Sequence, residues 1–160
     1  MFKKNIGRRN KEIGMNAVVK AQVMDWSKFS IEEWLKQYGA YIQISRMKSG
    51  NQPDSLGVNQ IYWLILENNK GVAPRKDQVI CQINDFEAEQ VRKLIVDFNK
   101  SSSVCASAKV AVEIFIDKCV RGMSLRQLAH ERGMGKTSVE SMVFAGKFYL
   151  AGHDKRLKLG

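Results

Sequence analysis

The sequence predicts a mostly α-helical protein: one helical domain that contains a helix-turn-helix, preceded by a basic, flexible N-terminal arm. Apolar residues recur at helical spacing in several segments, and residues that favour helix N-termini stand in front of them. Glycine, serine, asparagine and proline cluster between these segments. The chain has 160 residues, 44% of them hydrophobic, which suffices for the core of one domain. We therefore expect an arm at residues 1–24, a helical domain at 25–160 and the helix-turn-helix at 124–150.

The positive charge is concentrated at the two ends of the chain. The formal net charge is +10, residues 25–119 are neutral, and residues 1–24 and 120–160 carry +5 each. Such a distribution suits a polyanionic partner, because cations that neutralise phosphates release condensed counterions. For the arm taken alone, a charged tail that maintains solubility is the alternative. The cations expected to contact a nucleic-acid backbone are Lys3, Lys4, Arg8, Arg9, Lys11, Lys155, Arg156 and Lys158.

Several classes of protein are disfavoured. The apolar runs are too short to cross a bilayer and the N-terminus lacks a signal peptide's apolar stretch, so we expect a cytoplasmic protein without membrane contact. Cys81, Cys105 and Cys119 are widely spaced and lie in apolar segments, which predicts three buried thiols. With only His130 and His153 as histidines and no C-x-x-C pair, we expect no metal and no cofactor. No motif places a nucleophile beside a base, so we expect no catalysis.

The first helix is expected to begin after Ser30. Ser30 and Glu33 have the spacing of a capping box, and apolar residues follow at helical intervals up to Ile42. Residues 48–57 and 68–76 are rich in loop-forming residues. Residues 61–66 between them (IYWLIL) are uniformly apolar, so helix and strand both remain open, but burial is expected. The three tryptophans, Trp26, Trp34 and Trp63, are interpreted as core residues rather than platforms for base stacking.

Two further helices precede the C-terminal region. Asn84 or Asp85 is expected to cap a helix that continues to about Phe98. A serine triplet at residues 101–103 forms a link, and a second apolar helix is expected from about Ala106 to Arg121.

The helix-turn-helix prediction rests on residues 124–150. Ser124 is suited to cap a short helix that Gly133 ends, and a second helix begins near Lys136 or Thr137. Glycine allows a positive φ angle in the turn, and the small Ala129 lets the helices approach. We expect four side chains to point inward: Leu128, Met134, Val139 and Met142. Arg132 departs from the usual pattern, because an apolar residue is common at its position.

If the second helix enters the major groove, its exposed residues contact bases and phosphates. Hydroxyls and lysines near a helix N-terminus suit both tasks, and a carboxylate accepts a hydrogen bond from cytosine N4. The residues expected to contact DNA are Arg126, Lys136, Thr137, Ser138, Glu140, Ser141 and Lys147. The alternative is a helical hairpin that serves only for packing.

Residues 133–138 (GMGKTS) also resemble the end of a nucleotide-binding P-loop. In that motif the first glycine would fall at His130, and a buried strand should precede the loop. The preceding residues 125–132 are expected to form a helix, so we disfavour ATP binding.

The chain resembles the Q-type late antitermination proteins of lambdoid bacteriophages, specifically the smaller branch without a zinc finger. The resemblance covers roughly residues 29–153 and is most specific in the predicted helix pair, although the DNA-binding region 4 of sigma factors has similar helix pairs. The long arm before Trp26 and the 48–76 stretch depart from the family. The segments that carry the resemblance are residues 34–41 (WLKQYGAY), 120–129 (VRGMSLRQLA), 135–140 (GKTSVE) and 145–148 (AGKF).

The resemblance implies a factor that binds double-stranded DNA at a phage late promoter and joins host RNA polymerase paused with its sigma factor. Such proteins narrow or extend the RNA exit path and thereby suppress pausing and termination. It also implies that the basic N-terminal arm and the apolar helices face polymerase, sigma factor or nascent RNA. Whether the protein binds DNA as a homodimer is left open. The rival interpretations are a simple repressor or activator and a protein-interaction inhibitor that does not read DNA.

Overall fold

A computed structural model describes residues 22–47 and 79–160. A single turn of 3-10 helix, Trp26–Lys28, precedes five α-helices in this part of the chain. The predicted mostly helical class is confirmed, since the described residues contain no strand and only an isolated bridge between Ser30 and Lys158. The helices are α1 Ile31–Met47, α2 Asp85–Lys100, α3 Ala106–Val120, α4 Leu125–Arg132 and α5 Lys136–His153.

Some expectations fall outside these ranges. The cations of the arm, Lys3, Lys4, Arg8, Arg9 and Lys11, precede the described residues. The two loop-rich stretches and the apolar residues 61–66, with Trp63, lie between the two described ranges.

Side chains cap α1 and α2 as the sequence predicts. The Ser30 backbone N–H donates to Glu33 Oε2 over 2.9 Å, which completes the predicted capping box. At α2 the structure selects Asn84 as the cap: its Oδ1 accepts from the Glu87 backbone N–H over 2.8 Å, and Glu87 accepts in return from the Asn84 N–H. The helix ends at Lys100, two residues beyond the predicted Phe98.

Helix α3 is the centre of the packing and lies against both α1 and α5. Two glycines let the neighbouring backbones approach it closely. A Cβ atom on Gly39 of α1 would overlap the Val120 carbonyl oxygen, and one on Gly146 of α5 would overlap that of Ala111. The largest completely buried side chains among the described residues are Trp34, Phe98, Phe115, Ile31, Leu35, Ile83, Ile114, Leu128 and Leu150.

Trp26 and Trp34 are core residues, as predicted. Their rings lie edge to face with centroids 5.7 Å apart, and Trp34 Nε1 donates to the Trp26 carbonyl over 3.2 Å. The buried amide of Gln37 joins α1 to the chain before α2: its Nε2 donates to the Ile80 carbonyl over 2.9 Å, and its Oε1 accepts from the Gln82 N–H over 2.7 Å. Both polar atoms of this buried group are thereby satisfied.

The C-terminal residues pack back on the start of the domain. The Ile31 N–H donates to the Lys158 carbonyl over 2.9 Å, Lys158 Nζ donates to the Ser27 carbonyl, and Leu157 is buried. The Arg156 guanidinium lies 5.1 Å from the centroid of the Trp26 ring and donates to Asp154. The hydrogen bonds from Arg156 lower the pKa of Asp154 below its usual value. The tail therefore completes the core.

The expectation of three buried cysteines is wrong for one of them. Cys81 and Cys119 are buried, and burial raises the pKa of Cys119 to about 11. Cys105 is exposed because it lies at the N-cap of α3, in the turn that follows the serine link. In the described ranges, no helix is both long and apolar enough to span a membrane.

The close approach of α3 and α5 predicts that Gly146→Ala destabilises the protein by about 2 to 3 kcal/mol, because backbone and not a flexible side chain blocks the added methyl group. Gly152→Ala on the same helix is the control. Its Cβ meets nothing within 4 Å, and alanine's higher helix propensity should stabilise by about 0.5 kcal/mol. Urea denaturation followed by circular dichroism measures both; equal stabilities would contradict the prediction.

The lowered pKa of Asp154 predicts a pH-dependent contribution to stability. A carboxylate whose folded pKa is lowered stabilises the fold above its unfolded pKa of about 3.9 and loses that effect as the pH falls through the folded value. Asp154→Asn should therefore cost about 1 kcal/mol at neutral pH, and the difference from wild type should vanish in acid. Denaturation curves at neutral and acidic pH test this, with Asp97→Asn on the exposed side of α2 as control.

Candidate functional site

The helix pair formed by α4 and α5 begins with a cap and turns at a glycine. Ser124 Oγ accepts from the Gln127 backbone N–H over 3.2 Å, and Gln127 Oε1 accepts from the Ser124 N–H over 2.8 Å. Gly133 has φ 62° and ψ 31°, the left-handed conformation predicted for it. Its N–H donates to the His130 carbonyl, and the Met134 N–H donates to that of Ala129. Residues 133–135 thus connect the two helices in one short turn.

The inward positions of the pair agree with the sequence prediction. Leu128 and Val139 are completely buried, while Met134 and Met142 are half-buried and pack on the core. Helix α5 begins at Lys136 and extends to His153, three residues beyond the predicted end. The pair is therefore anchored to the domain through one apolar side of each helix.

The contacts of Arg132 explain why a charged residue stands at a position where an apolar residue is common. Its Nη2 donates to Asp117 Oδ2 over 2.6 Å and to Glu113 Oε1 over 2.9 Å, and both acceptors belong to α3. The Arg132 and Asp117 side chains are only 27% and 19% exposed, so solvent screens this ion pair less than a surface pair. An apolar residue is unnecessary here, because α3 offers two carboxylates one helical turn apart.

A second ion pair joins the same two helices. Arg121, which follows α3, donates to Glu131 Oε1 of α4 over 2.9 Å. This hydrogen bond lowers the pKa of Glu131. Both ion pairs therefore connect α4 to the C-terminal end of α3. Sequence reasoning missed both, although the spacing of Glu113 and Asp117 was a signal.

Six of the seven residues expected to contact DNA are exposed, and the seventh, Lys147, is mostly buried. Lys136 makes no ion pair with any described residue, and the same holds for Arg126. Gly135 at the N-cap of α5 supplies no side-chain cap. Ser141 Oγ donates to the Thr137 carbonyl over 3.1 Å and can still accept a hydrogen bond. The exposed group consists of Arg126, Lys136, Thr137, Ser138, Glu140 and Ser141.

Lys147 and the basic C-terminus are placed differently. Lys147 Nζ lies 3.6 Å from Glu32 of α1, and its side chain is only 22% exposed. Lys155, Arg156 and Lys158 are all exposed, and Arg156 and Lys158 make the tail contacts described above. The structure shows no contact between these four cations and the exposed group on α4 and α5 within the described residues.

Sequence reasoning missed three exposed aromatic residues on α5. Phe144, Phe148 and Tyr149 are 66%, 46% and 49% exposed. The rings of Phe144 and Phe148 are in contact, with centroids 4.7 Å apart. The helical positions of Phe144 and Phe148, on the side opposite the buried Val139 and Leu150, were the available signal, and Tyr149 lies at the edge of the buried side.

The local chemistry is that of hydrogen-bond donors and acceptors, cations and aromatic rings. Helix α4, and not a strand, precedes the glycine turn, so the arrangement differs from a P-loop. Within residues 22–47 and 79–160, no three His, Cys, Asp or Glu side chains group as metal ligands would. Comparisons with known protein families, curated proteins and solved structures find no match for this chain.

The ion pairs of Arg132 predict that Arg132→Gln destabilises the domain by about 1 to 2 kcal/mol, since it leaves Asp117 partly buried without its cation. Arg126→Gln on the same helix should change stability by less than about 0.5 kcal/mol. Thermal denaturation at low and high salt tests both variants. The effect of Arg132→Gln should shrink at high salt, and equal losses for the two variants would contradict the orienting role.

Proposed function

We propose that this protein is a non-enzymatic transcription antitermination factor that uses α4 and α5 as a DNA-binding helix-turn-helix. The DNA-binding part of the proposal is supported by a difference between ion-paired and unpaired cations. Arg121, Arg132 and Lys147 are ion-paired with carboxylates of the domain, whereas Arg126 and Lys136 are exposed and carry no ion pair with the described residues. Free cations beside an uncapped helix N-terminus suit phosphate groups.

In this proposal the first turns of α5 lie in the major groove. Lys136 and the backbone N–H groups at the N-terminus of α5 contact phosphates, and Arg126 holds the backbone from α4. Thr137, Ser138 and Ser141 hydrogen-bond to base edges, and Glu140 accepts from cytosine N4. Arg132 is a positioning residue that sets the angle of α4 and does not contact DNA.

The antitermination part rests on the resemblance to phage late antitermination proteins, which includes segments of both α1 and the helix pair. On that basis the target is a late-promoter element, and the further partners are host RNA polymerase, its sigma factor and nascent RNA. The factor acts by suppressing pausing and termination after it joins the paused polymerase. The basic ends of the chain supply contacts with polymerase or with a nucleic-acid backbone.

A second candidate function is supported by the exposed aromatic side of α5. An interaction protein that binds another protein through Phe144 and Phe148 would not need the hydroxyls at the start of the helix. The two functions are separable, because base contacts depend on Thr137 and Ser138 and a protein contact depends on the aromatic rings.

DNA readout predicts that the triple variant Thr137→Ala, Ser138→Ala, Ser141→Ala loses preference for duplexes selected from a random-sequence pool. Each good base contact is worth about 1 to 3 kcal/mol, so affinity should fall roughly 5- to 150-fold for each hydrogen bond to a base that the substitution removes. Gel-shift titration at about 150 mM salt measures this. The exposed hydroxyls of Ser102 and Ser107, replaced by alanine, are the matched control. Unchanged preference in the triple variant would refute the proposed readout.

Antitermination predicts a readthrough signal that depends on the promoter. Transcription through an intrinsic terminator should increase when the template carries the cognate promoter, and a template with an unrelated promoter should not respond. In vitro transcription with purified polymerase and sigma factor measures the fraction of full-length RNA. Specific DNA binding without readthrough would instead favour a simple repressor or activator.

A further inference from the structure

Phe144 lies on the same exposed side of α5 as the hydroxyls of its first turns. It is 66% exposed, the largest exposed fraction among the large apolar residues of that helix. Successive residues of an α-helix are about 100° apart around the axis, so Thr137, Ser141 and Phe144 fall within about 60° of one another. The buried Val139 and Leu150 lie on the opposite side.

The spacing along the helix axis matches the spacing of base pairs. With a rise of about 1.5 Å per residue, Phe144 lies about 10 Å beyond Thr137 and about 4.5 Å beyond Ser141. Base pairs of B-DNA are about 3.4 Å apart, so about three base-pair steps separate Thr137 from Phe144. The major groove is about 12 Å wide and admits an α-helix. A duplex that contacts Thr137 and Ser141 through its major groove therefore also meets the Phe144 ring.

The ring needs an apolar contact in the groove. A phenyl ring offers no conventional hydrogen bond, so a polar base edge that it covers loses hydrogen bonds to water and gains none. The C5-methyl group of thymine is apolar and projects into the major groove, where apolar side chains contact it. The exposed ring is therefore chemically matched to thymine and mismatched to the polar groups that the other bases present there.

Phe144 suits this contact better than Phe148 does. Phe148 is only 46% exposed, and it lies about one helical turn farther from the hydroxyls. The two rings contact each other, with centroids 4.7 Å apart. Because the Cα–Cβ bonds of a helix tilt towards its N-terminus, Phe144 leans towards the turn that carries Ser141.

We infer that Phe144 contacts the C5-methyl group of a thymine in the major groove, about three base-pair steps from the base pair that Thr137 contacts. Phe144 is thus a specificity-determining residue that selects an A·T pair by its methyl group and adds no phosphate contact. The inference rests on the proposed function, because it needs α5 to lie in the groove. A protein partner for the same ring, as in the second candidate function, is the alternative that the test distinguishes.

The test uses the purified full-length protein and duplexes that it selects from a random-sequence pool at about 150 mM salt. The selected duplexes should share a thymine about three base-pair steps from the position whose preference Thr137→Ala removes. Replacing that thymine with deoxyuridine removes only the methyl group. The affinity of the wild-type protein, measured by gel-shift titration, should then fall about fourfold, as expected for one buried group of that size.

Protein variants connect the methyl group to the ring. Phe144→Ala should bind the thymine duplex at least about fourfold more weakly and should bind the thymine and deoxyuridine duplexes equally. Tyr149→Ala is the matched control, because Tyr149 is a 49% exposed aromatic residue of the same helix, about 140° around the axis from Phe144. It should keep the fourfold loss. Circular dichroism checks that each variant is folded.

Salt separates the methyl contact from the phosphate contacts. The affinity for both duplexes should fall between about 50 and 200 mM salt, but their ratio should stay constant, since a methyl contact releases no counterions. A ratio that follows the salt concentration contradicts the inference.

The remaining outcomes separate this inference from the proposed function. The inference is wrong, and DNA binding stands, if the protein selects a sequence without a thymine at that distance or does not distinguish thymine from deoxyuridine. The same holds if Phe144→Ala still distinguishes them, and unchanged affinity of Phe144→Ala for both duplexes assigns the ring to a protein partner. If no duplex is enriched from the pool, the proposed function and the inference fail together.

Discussion

The close contact between α3 and α5 at Gly146 is the constraint on which the rest of the described structure depends. Two helices approach this closely only where one of them lacks a side chain, and a Cβ atom at Gly146 would meet the Ala111 backbone. The contact also determines which sides of α5 are buried: Val139, Val143 and Leu150 turn inward. The opposite side, with Thr137 and Phe148, is exposed as a direct result.

The cations of the C-terminal region fall into two groups, those that contact groups within the domain and those that do not. Arg121 and Arg132 donate their hydrogen bonds to carboxylates and hold α4 on α3, and Arg156 packs on Trp26 and completes the core. A cation that is held in this way contributes orientation more than affinity for a polyanion. The net charge of the region therefore overstates the charge that is free to contact DNA, and Arg126, Lys136 and Lys155 carry more of the proposed electrostatic contact than Lys147, Arg156 and Lys158.

Two recognition chemistries share helix α5. Its first turns carry hydroxyls and a lysine without an ion pair to the described residues, which suit base edges and phosphates, and its later turns carry exposed aromatic rings. Because the helix is a rigid rod with a rise of about 1.5 Å per residue, Thr137 and Phe148 are about 16 Å apart along its axis. The two sets of side chains therefore lie about three turns apart on the same exposed side of α5.

Much of the local structure was determined by the sequence itself, because it depends on residues close together in the chain. The capping boxes at Ser30 and Asn84, the left-handed Gly133 and the inward Leu128 and Val139 follow from local hydrogen bonding and helical periodicity. Only the tertiary structure decided the engagement of Lys147 by Glu32 and the carboxylate partners of Arg132. Each of these depends on which distant residue packs alongside, and the order of residues within a single helix does not contain that information.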